Sequence, residues 1–300
     1  MKLDNGYLPV KKESGFMMEG YYVWCGSVFY ENGIFYMFAA RWPEEKLFPD
    51  GYMNNSEIVL ATTDSLDKPF EFKKVVISKR SGGYWDSGMA HNPCVTKIDD
   101  KYVMYYIGTP DGSYEKRAIG YACAKSLDGE WERQDMPINL PVNANNPSVI
   151  IDDDGSVLLY FRDGKLKVSV ARAERFDGEY IVENDNLFPD GGVEDMFVFR
   201  NNGRYEMFAE DAHGAYTGQD KAGVYFVSSD GINWEPYEKP LAYGFEVEYT
   251  DGTEIILQRR ERPQILWVED KTYLFNAAKS GGTDKLTGGH TWNMVQQFRG

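Results

Sequence analysis

The chain has 300 residues, 15% of them aromatic, and a formal net charge of −15. That charge repels a polyanion and argues against nucleic acid as a partner. No run approaches the roughly 18 apolar residues of a membrane-spanning helix, and the opening MKLDNGYLPVKK lacks the apolar core of a secretory leader, so the expectation is a cytoplasmic protein. The three cysteines, Cys25, Cys94 and Cys123, are odd in number and widely spaced, which favours neither a disulfide framework nor a CxxC metal site.

Long amphipathic segments of period 3.6 are missing. In chain order the sequence instead repeats two apolar strands around a polar turn: GSVFYENGIFYMFAA (26–40), NPCVTKIDDKYVMYYIGT (92–109), NPSVIIDDDGSVLLYFR (146–162), EDMFVFRNNGRYEMFAE (194–210) and RPQILWVEDKTYLFNAA (262–278). Asn-Gly, Asp-Gly and Asp-Asp-Lys turns mark each as a hairpin. One position in each copy is proline or its substitute: Gly26, Pro93, Pro147, Met196 and Pro263, spaced 67, 54, 49 and 67 residues apart. A repeat of about 59 residues, taken five times, fills the chain as a single domain, 1–300.

A third strand follows every hairpin: EIVLATT (57–63), RAIGYACAKS (117–126), LKVSVARA (166–173), AGVYFVSSD (222–230) and HTWNMVQQF (290–298). In the first four units a Gly- or Pro-marked aromatic segment then supplies an edge strand: DKPFEF, DGEWER, FDGEY and DGINWEP. Four-stranded antiparallel units repeated radially predict an all-β, five-bladed β-propeller. The fifth unit lacks its outer strand, and the N-terminal segment around Phe16–Trp24 is expected to supply it and close the ring.

In such a blade the start of strand one, the end of strand two and the start of strand three share one rim. That rim collects Trp24, Asn92, Asn146, Glu194, Asp195, Glu261 and Arg262 from first strands. Second strands add Arg41, Trp42, Arg162, Glu210, Asp211 and Lys279, and third strands add Glu57, Arg117 and His290. The loop YWDSGMAHNP brings Trp85, Asp86 and His91. Aromatic faces, arginines and carboxylates around one mouth suit a sugar, and two carboxylates are what glycoside cleavage requires.

The five-fold pattern, with NP or ED opening inner strands and YMFAA-like second strands, resembles the five-bladed propeller glycoside hydrolases of families 43, 32 and 117. YMFAARWPEE, NSEIVLAT, WDSGMAHNP and ERPQIL are similar to a subgroup of these. The resemblance spans the whole chain and implies an exo-acting, inverting glycosidase of the polysaccharide-degrading kind. In the arabinanase type a base Asp opens the first inner strand and a pKa-tuning Asp the third. A general-acid Glu stands two residues before the proline position of the fourth. Glu194 matches the acid. Cys25 and Asn146 occupy the two Asp positions, so the usual base and tuning groups are absent.

Glu194 and Asp195 are therefore the first catalytic candidates. Strand alternation would send one to the channel and the other towards an arginine such as Arg162 or Arg262. Asp86 is the candidate base, with a turn role as its alternative; Glu57 and Asp211 stand in reserve. Trp24, Arg41, Trp42, Glu57, His91, Asn92, Asn146, Arg162, Asp211, Glu261 and Arg262 are the candidate sugar-binding residues. Glu261, between Arg260 and Arg262, reads equally as a structural ion pair, and His91 as a sugar contact, an acid or a structural histidine. SSDGINW (228–234) and DDDG (152–155) read as hairpin turns; the latter lacks the calcium-loop spacing. No cofactor motif is present, and a structural calcium in the channel stays open. Two rivals remain: a carbohydrate-binding propeller without catalysis, favoured by Cys25 and Asn146, and a propeller phosphorylase whose phosphate would need Arg41, Arg117 or Arg162.

Overall fold

A computed structural model describes residues 6–48, 51–141, 143–284 and 288–300. It is a ring of five antiparallel blades whose inner strands are Tyr21–Glu31, Met89–Ile98, Asn145–Ile151, Val193–Asn201 and Arg259–Val268. Each inner strand packs against the next, and the fifth against the first, around a central channel. The first four blades have four strands in sequential order. Third strands run Glu57–Thr63, Ala118–Ala124, Val168–Ala173, Gly223–Ser228 and His290–Gln297, within the predicted segments. Among the described residues, helix is confined to one turn at Tyr52–Asn55 and a 3-10 turn at Tyr114–Lys116.

The apolar runs are nearly continuous because both faces of a blade are buried. In the second strand of blade three, Val157, Leu159 and Phe161 pack towards blade two, while Leu158 and Tyr160 pack towards blade four. In blade two, Val103, Tyr105 and Ile107 meet blade three, and Tyr102, Met104 and Tyr106 meet blade one. Similar seams join blades four and five through Phe208 and Leu274, and five and one through Phe275 and Met37. Fully burying one such side chain contributes roughly 1.5–3 kcal/mol, so the seams between blades hold the ring.

Closure differs in detail from the expectation. The fifth blade has three strands, and residues 7–16 lie along its outer edge through isolated antiparallel bridges, Tyr7 with Phe298 and Phe16 with Asn293. Phe16 and Asn293 exchange both backbone hydrogen bonds at 2.9 Å. Residues 21–24 do not take part; they open the inner strand of blade one. Gly15 lies so close to the third strand that a Cβ would clash with the Asn293 carbonyl oxygen, and its positive φ of 86° suits glycine there. A short hairpin, Glu246–Glu248 with Glu254–Ile256, is inserted between blades four and five and was not anticipated.

Candidate active site

Each inner strand slips register at the same place: between Trp24 and Ser27, His91 and Cys94, Asn145 and Ser148, Glu194 and Phe197, and Glu261 and Gln264. These are β-bulges, one per blade. The bulged residue is left-handed in every copy: Cys25 (φ 56°), Asn92 (52°), Asn146 (52°), Asp195 (58°) and Arg262 (53°). Asn and Asp tolerate that region; for Cys and Arg it costs about 1–2 kcal/mol. Proline follows in three copies because the broken ladder needs no N–H there. Gly26 keeps its N–H and donates it to Asn293 Oδ1 at 2.9 Å, where a Cβ would crowd the same side chain.

The five bulged residues join across the channel. The Cys25 thiol donates to Asn92 Oδ1 (2.6 Å), Asn92 Nδ2 to Asn146 Oδ1 (2.6 Å), and Asn146 Nδ2 to Asp195 Oδ1 (2.5 Å). Arg262 Nη1 donates to the same Asp195 oxygen at 3.2 Å. This ring is the floor of a cavity of about 360 Å³. Beyond it lies a second, less polar funnel lined by residues that follow the bulges, such as Val28, Pro93, Pro147 and Phe197.

The residue before each bulge forms the lower wall: Trp24, His91, Asn145, Glu194 and Glu261. Above stand Trp42, Phe48, Tyr52, Tyr114, Arg117, Arg162 and Arg259. Three buried wall atoms have no protein partner among the described residues: Trp42 Nε1, Asn145 Oδ1 and Arg162 Nε. Leaving such groups unpaired costs about 1–3 kcal/mol each, so the wall behind the cavity surface is polar and not fully satisfied.

Four carboxylates gather on one side, each with a cation. Glu194 pairs with Arg162 Nη2 (2.9 Å) and Lys221 Nζ (3.3 Å). Glu261 pairs with Arg259 Nε (2.6 Å), Asp195 with Arg262, and Glu210, behind the wall, with Lys221 (2.5 Å). Their environments separate them. For Glu194, Arg162 and Lys221 outweigh the burial that opposes ionisation, and its pKa falls below the ordinary carboxylate value. Burial raises that of Glu261, with Asp195 and Glu194 adding to the rise against Arg259. Burial pushes Glu210 up further, reinforced by Glu261, Glu194 and Asp195. Oxygens of Asp195, Glu210 and Glu261 lie within 4.8 Å of one another. Arg262, Lys221 and Arg259 already compensate these three acids, which makes the cluster a poor cradle for a divalent ion.

The cavity brings together Trp24, Trp42, His91, Asn92, Asn146, Arg162, Glu194, Asp195, Glu261 and Arg262. Glu194 and Asp195 both face it, against strict alternation, because the bulge at Asp195 breaks the period of two. Asp86 is elsewhere. It is fully buried and holds Arg80 Nε (2.7 Å), Arg133 Nη1 (3.3 Å) and the Tyr106 hydroxyl (2.8 Å), a structural ion pair at the outer part of blade two. Arg41 and Glu57 also lie off the cavity wall and pair with each other at 2.7 Å. Asp211 is buried and caps the loop after it, accepting from the backbone N–H groups of Ala215, Tyr216 and Thr217. His91 packs on the Tyr52 ring, with Nδ1 2.8 Å from Ser56 Oγ; burial keeps it neutral, which disfavours it as a proton donor. The residues that sequence reading did not assign are Phe48, Tyr52, Tyr114, Asn145 and Arg259 on the wall, with Lys221 behind it.

No protein-family model matches the sequence, and a search of curated proteins finds no match. Solved structures share the fold. A glycoside hydrolase superposes with a TM-score of 0.76 at 15% identity, covering 98% of this chain and 93% of its own. Zg3597, a family 117 glycoside hydrolase from Zobellia galactanivorans, gives 0.70 at 15% identity, with 97% and 89% covered. The GH43_1 enzyme from Xanthomonas citri, complexed with xylotriose, gives 0.64 at 16% identity, with 97% and 89% covered. At these identities the likeness establishes the fold: this chain has the five-bladed propeller of the family 43 and 117 glycoside hydrolases.

Proposed function

We propose that the protein is an exo-acting glycoside hydrolase in which Glu261 is the general acid and Glu194 the general base. The observation that carries this reading is the placing of two carboxyl groups, Glu194 and Glu261, on one cavity wall in opposed environments: burial of Glu194 is outweighed by Arg162 and Lys221 and its pKa falls, whereas burial raises that of Glu261 against the pull of Arg259. Two carboxyl groups with pKa values pushed apart are the signature of an acid and a base working on one bond. The hydrogen-bonded floor makes the cavity blind, which suits the end of a chain rather than its middle. The glycoside hydrolases of the same fold, one of them holding xylotriose, point to the same ligand class.

In this mechanism the terminal sugar packs among Trp24, Trp42 and Tyr52, which line the cavity. Glu194 takes a proton from a water as the water oxygen bonds to the anomeric carbon. Glu261 gives its proton to the departing glycosidic oxygen as the old bond breaks. One sugar with inverted configuration and one shortened alcohol result. Asp195, tied to Arg262 and Asn146, holds negative charge beneath the developing oxocarbenium ion.

A panel of aryl glycosides with good and poor leaving groups tests the roles. Glu261→Gln should lose about 10²–10⁴-fold with poor leaving groups and little with dinitrophenyl glycosides, which need no acid. Glu194→Gln should lose activity with both. Equal losses on both leaving-group classes in the Glu261 variant would overturn its assignment. The Cys25 and Asn146 substitutions favour a second reading, a binding propeller without turnover; calorimetric binding of an oligosaccharide with no reducing sugar released would select it.

A further inference from the structure

Four of the five cations around the cavity have a carboxylate: Arg162 and Lys221 share Glu194, Lys221 also holds Glu210, Arg259 holds Glu261, and Arg262 holds Asp195. Arg117 has none. Its Nε donates to the Tyr114 carbonyl and to Asn143 Oδ1, both at 3.1 Å, and its guanidinium lies over the Tyr114 ring at 4.8 Å with the Tyr52 hydroxyl beside it. Among the described residues no acid pairs with it, although it is 5% exposed and lines the cavity. A buried charge without a counter-charge is costly. The cost is compounded here, because Arg162 is close enough to repel it and itself has a buried, unpartnered Nε on the same wall.

The charge balance agrees. Five cations meet four carboxylates at this mouth. In a chain with a net charge of −15 this mouth thus holds one cation more than its carboxylates, and that surplus favours an anion.

We infer that Arg117 and Arg162 form an oxyanion subsite, so that the ligand of the cavity carries an anionic oxo group beside the sugar. This rests on the reading of the cavity as a sugar site. Arg117 presents a guanidinium fork suited to carboxylate or phosphate oxygens, and Arg162 adds its positive charge on the same wall. The two sources of such a group are the carboxylate of a uronic acid and free inorganic phosphate.

Titration of free monosaccharides separates this inference from the hydrolase reading, because they contain no bond to cleave. Trp24 and Trp42 line the cavity and report binding by fluorescence. Galacturonic and glucuronic acids are compared with galactose and glucose, and inorganic phosphate is titrated alone. The expected result is that a uronic acid binds at least tenfold tighter than its neutral counterpart. That preference should fall below twofold in Arg117→Gln and return in Arg117→Lys. If phosphate instead shows the Arg117-dependent binding, the subsite stands and its anion is the free one. Neutral sugars binding as well as acidic ones, no anion binding at all, or a preference unchanged in Arg117→Gln would each overturn it. The wild-type comparison needs no variant to fold.

Discussion

The floor ring carries one carboxylate, Asp195, and one guanidinium, Arg262, and Asn146 bridges towards them through an amide 2.5 Å from Asp195 Oδ1. Asn146→Asp replaces that N–H donor with a second carboxylate of almost identical shape. Two unit charges about 4 Å apart repel by roughly 4 kcal/mol at an effective dielectric near 20. Arg262 offsets part of this, which leaves about 2–3 kcal/mol on the same estimate. The sign follows from linkage. The new carboxyl has a folded pKa above its unfolded value, so the variant matches the wild type below about pH 4, where the protonated group donates in place of the amide. Stability is lost as pH rises through the folded pKa. About 2–4 °C per kcal/mol converts the loss to a melting-temperature gap of roughly 5–10 °C at pH 8 that closes at pH 4. Calorimetric scans of both proteins across this range measure it. A gap of the same size at both ends would refute the ring geometry, since it would mean that the new group never meets Asp195.

Two further substitutions test the neighbouring assignments. Asp86→Ala strands Arg80, Arg133 and the Tyr106 hydroxyl in a buried site; breaking such a pair costs about 3–5 kcal/mol, so the melting temperature should fall while the pH profile of any activity keeps its shape. A thousandfold loss of kcat without a change in melting would restore Asp86 as the base. Glu210 is buried with its pKa raised, so its carboxyl weakens the fold as pH climbs from the unfolded carboxylate range towards the folded pKa. Glu210→Gln keeps an oxygen for Lys221 and should melt higher than wild type at pH 8 and equally at pH 4.5. Lower stability of the variant at pH 8 would show that the carboxylate stabilises the fold there and would refute the raised pKa.

Much of this architecture is legible because the determinants are local. Asn32-Gly33 and Asn202-Gly203 sit in hairpin turns with positive φ, and the apolar runs between turns follow from burial on both faces. Proline follows three of the five bulged residues, and Asn92-Pro93, Asn146-Pro147 and Arg262-Pro263 mark where the ladder is broken. The left-handed backbone of Cys25 and Asp195 carries no such mark, and without it alternation sends Glu194 and Asp195 apart. Asp86 illustrates the other limit. Its distance in sequence from an inner strand is small, but its partners Arg80 and Arg133 lie on either side of it in the chain and draw it to the outer blade. Strand order alone puts Arg117 on the rim, but neither its lack of a partner acid nor the place of Lys221 leaves a local signal; both depend on which charges the ring brings together.

Cys25 and Asn146 take on a physical meaning in this light. With aspartates at both positions the floor would hold three carboxylates against Arg262 alone, within a ring joined by hydrogen bonds of 2.5–3.2 Å. A thiol and an amide leave it with one charge of each sign. The acids then stand elsewhere: Glu194 and Glu261 one residue upstream on the wall, and Glu210 at the end of a second strand, each compensated by Arg162, Arg259 or Lys221. Neutral floor and charged wall are therefore one arrangement. Restoring an aspartate at Asn146 alone should not restore a base, because the added charge lies in the floor beside Asp195, beneath the wall that holds the acid pair, and repels them together.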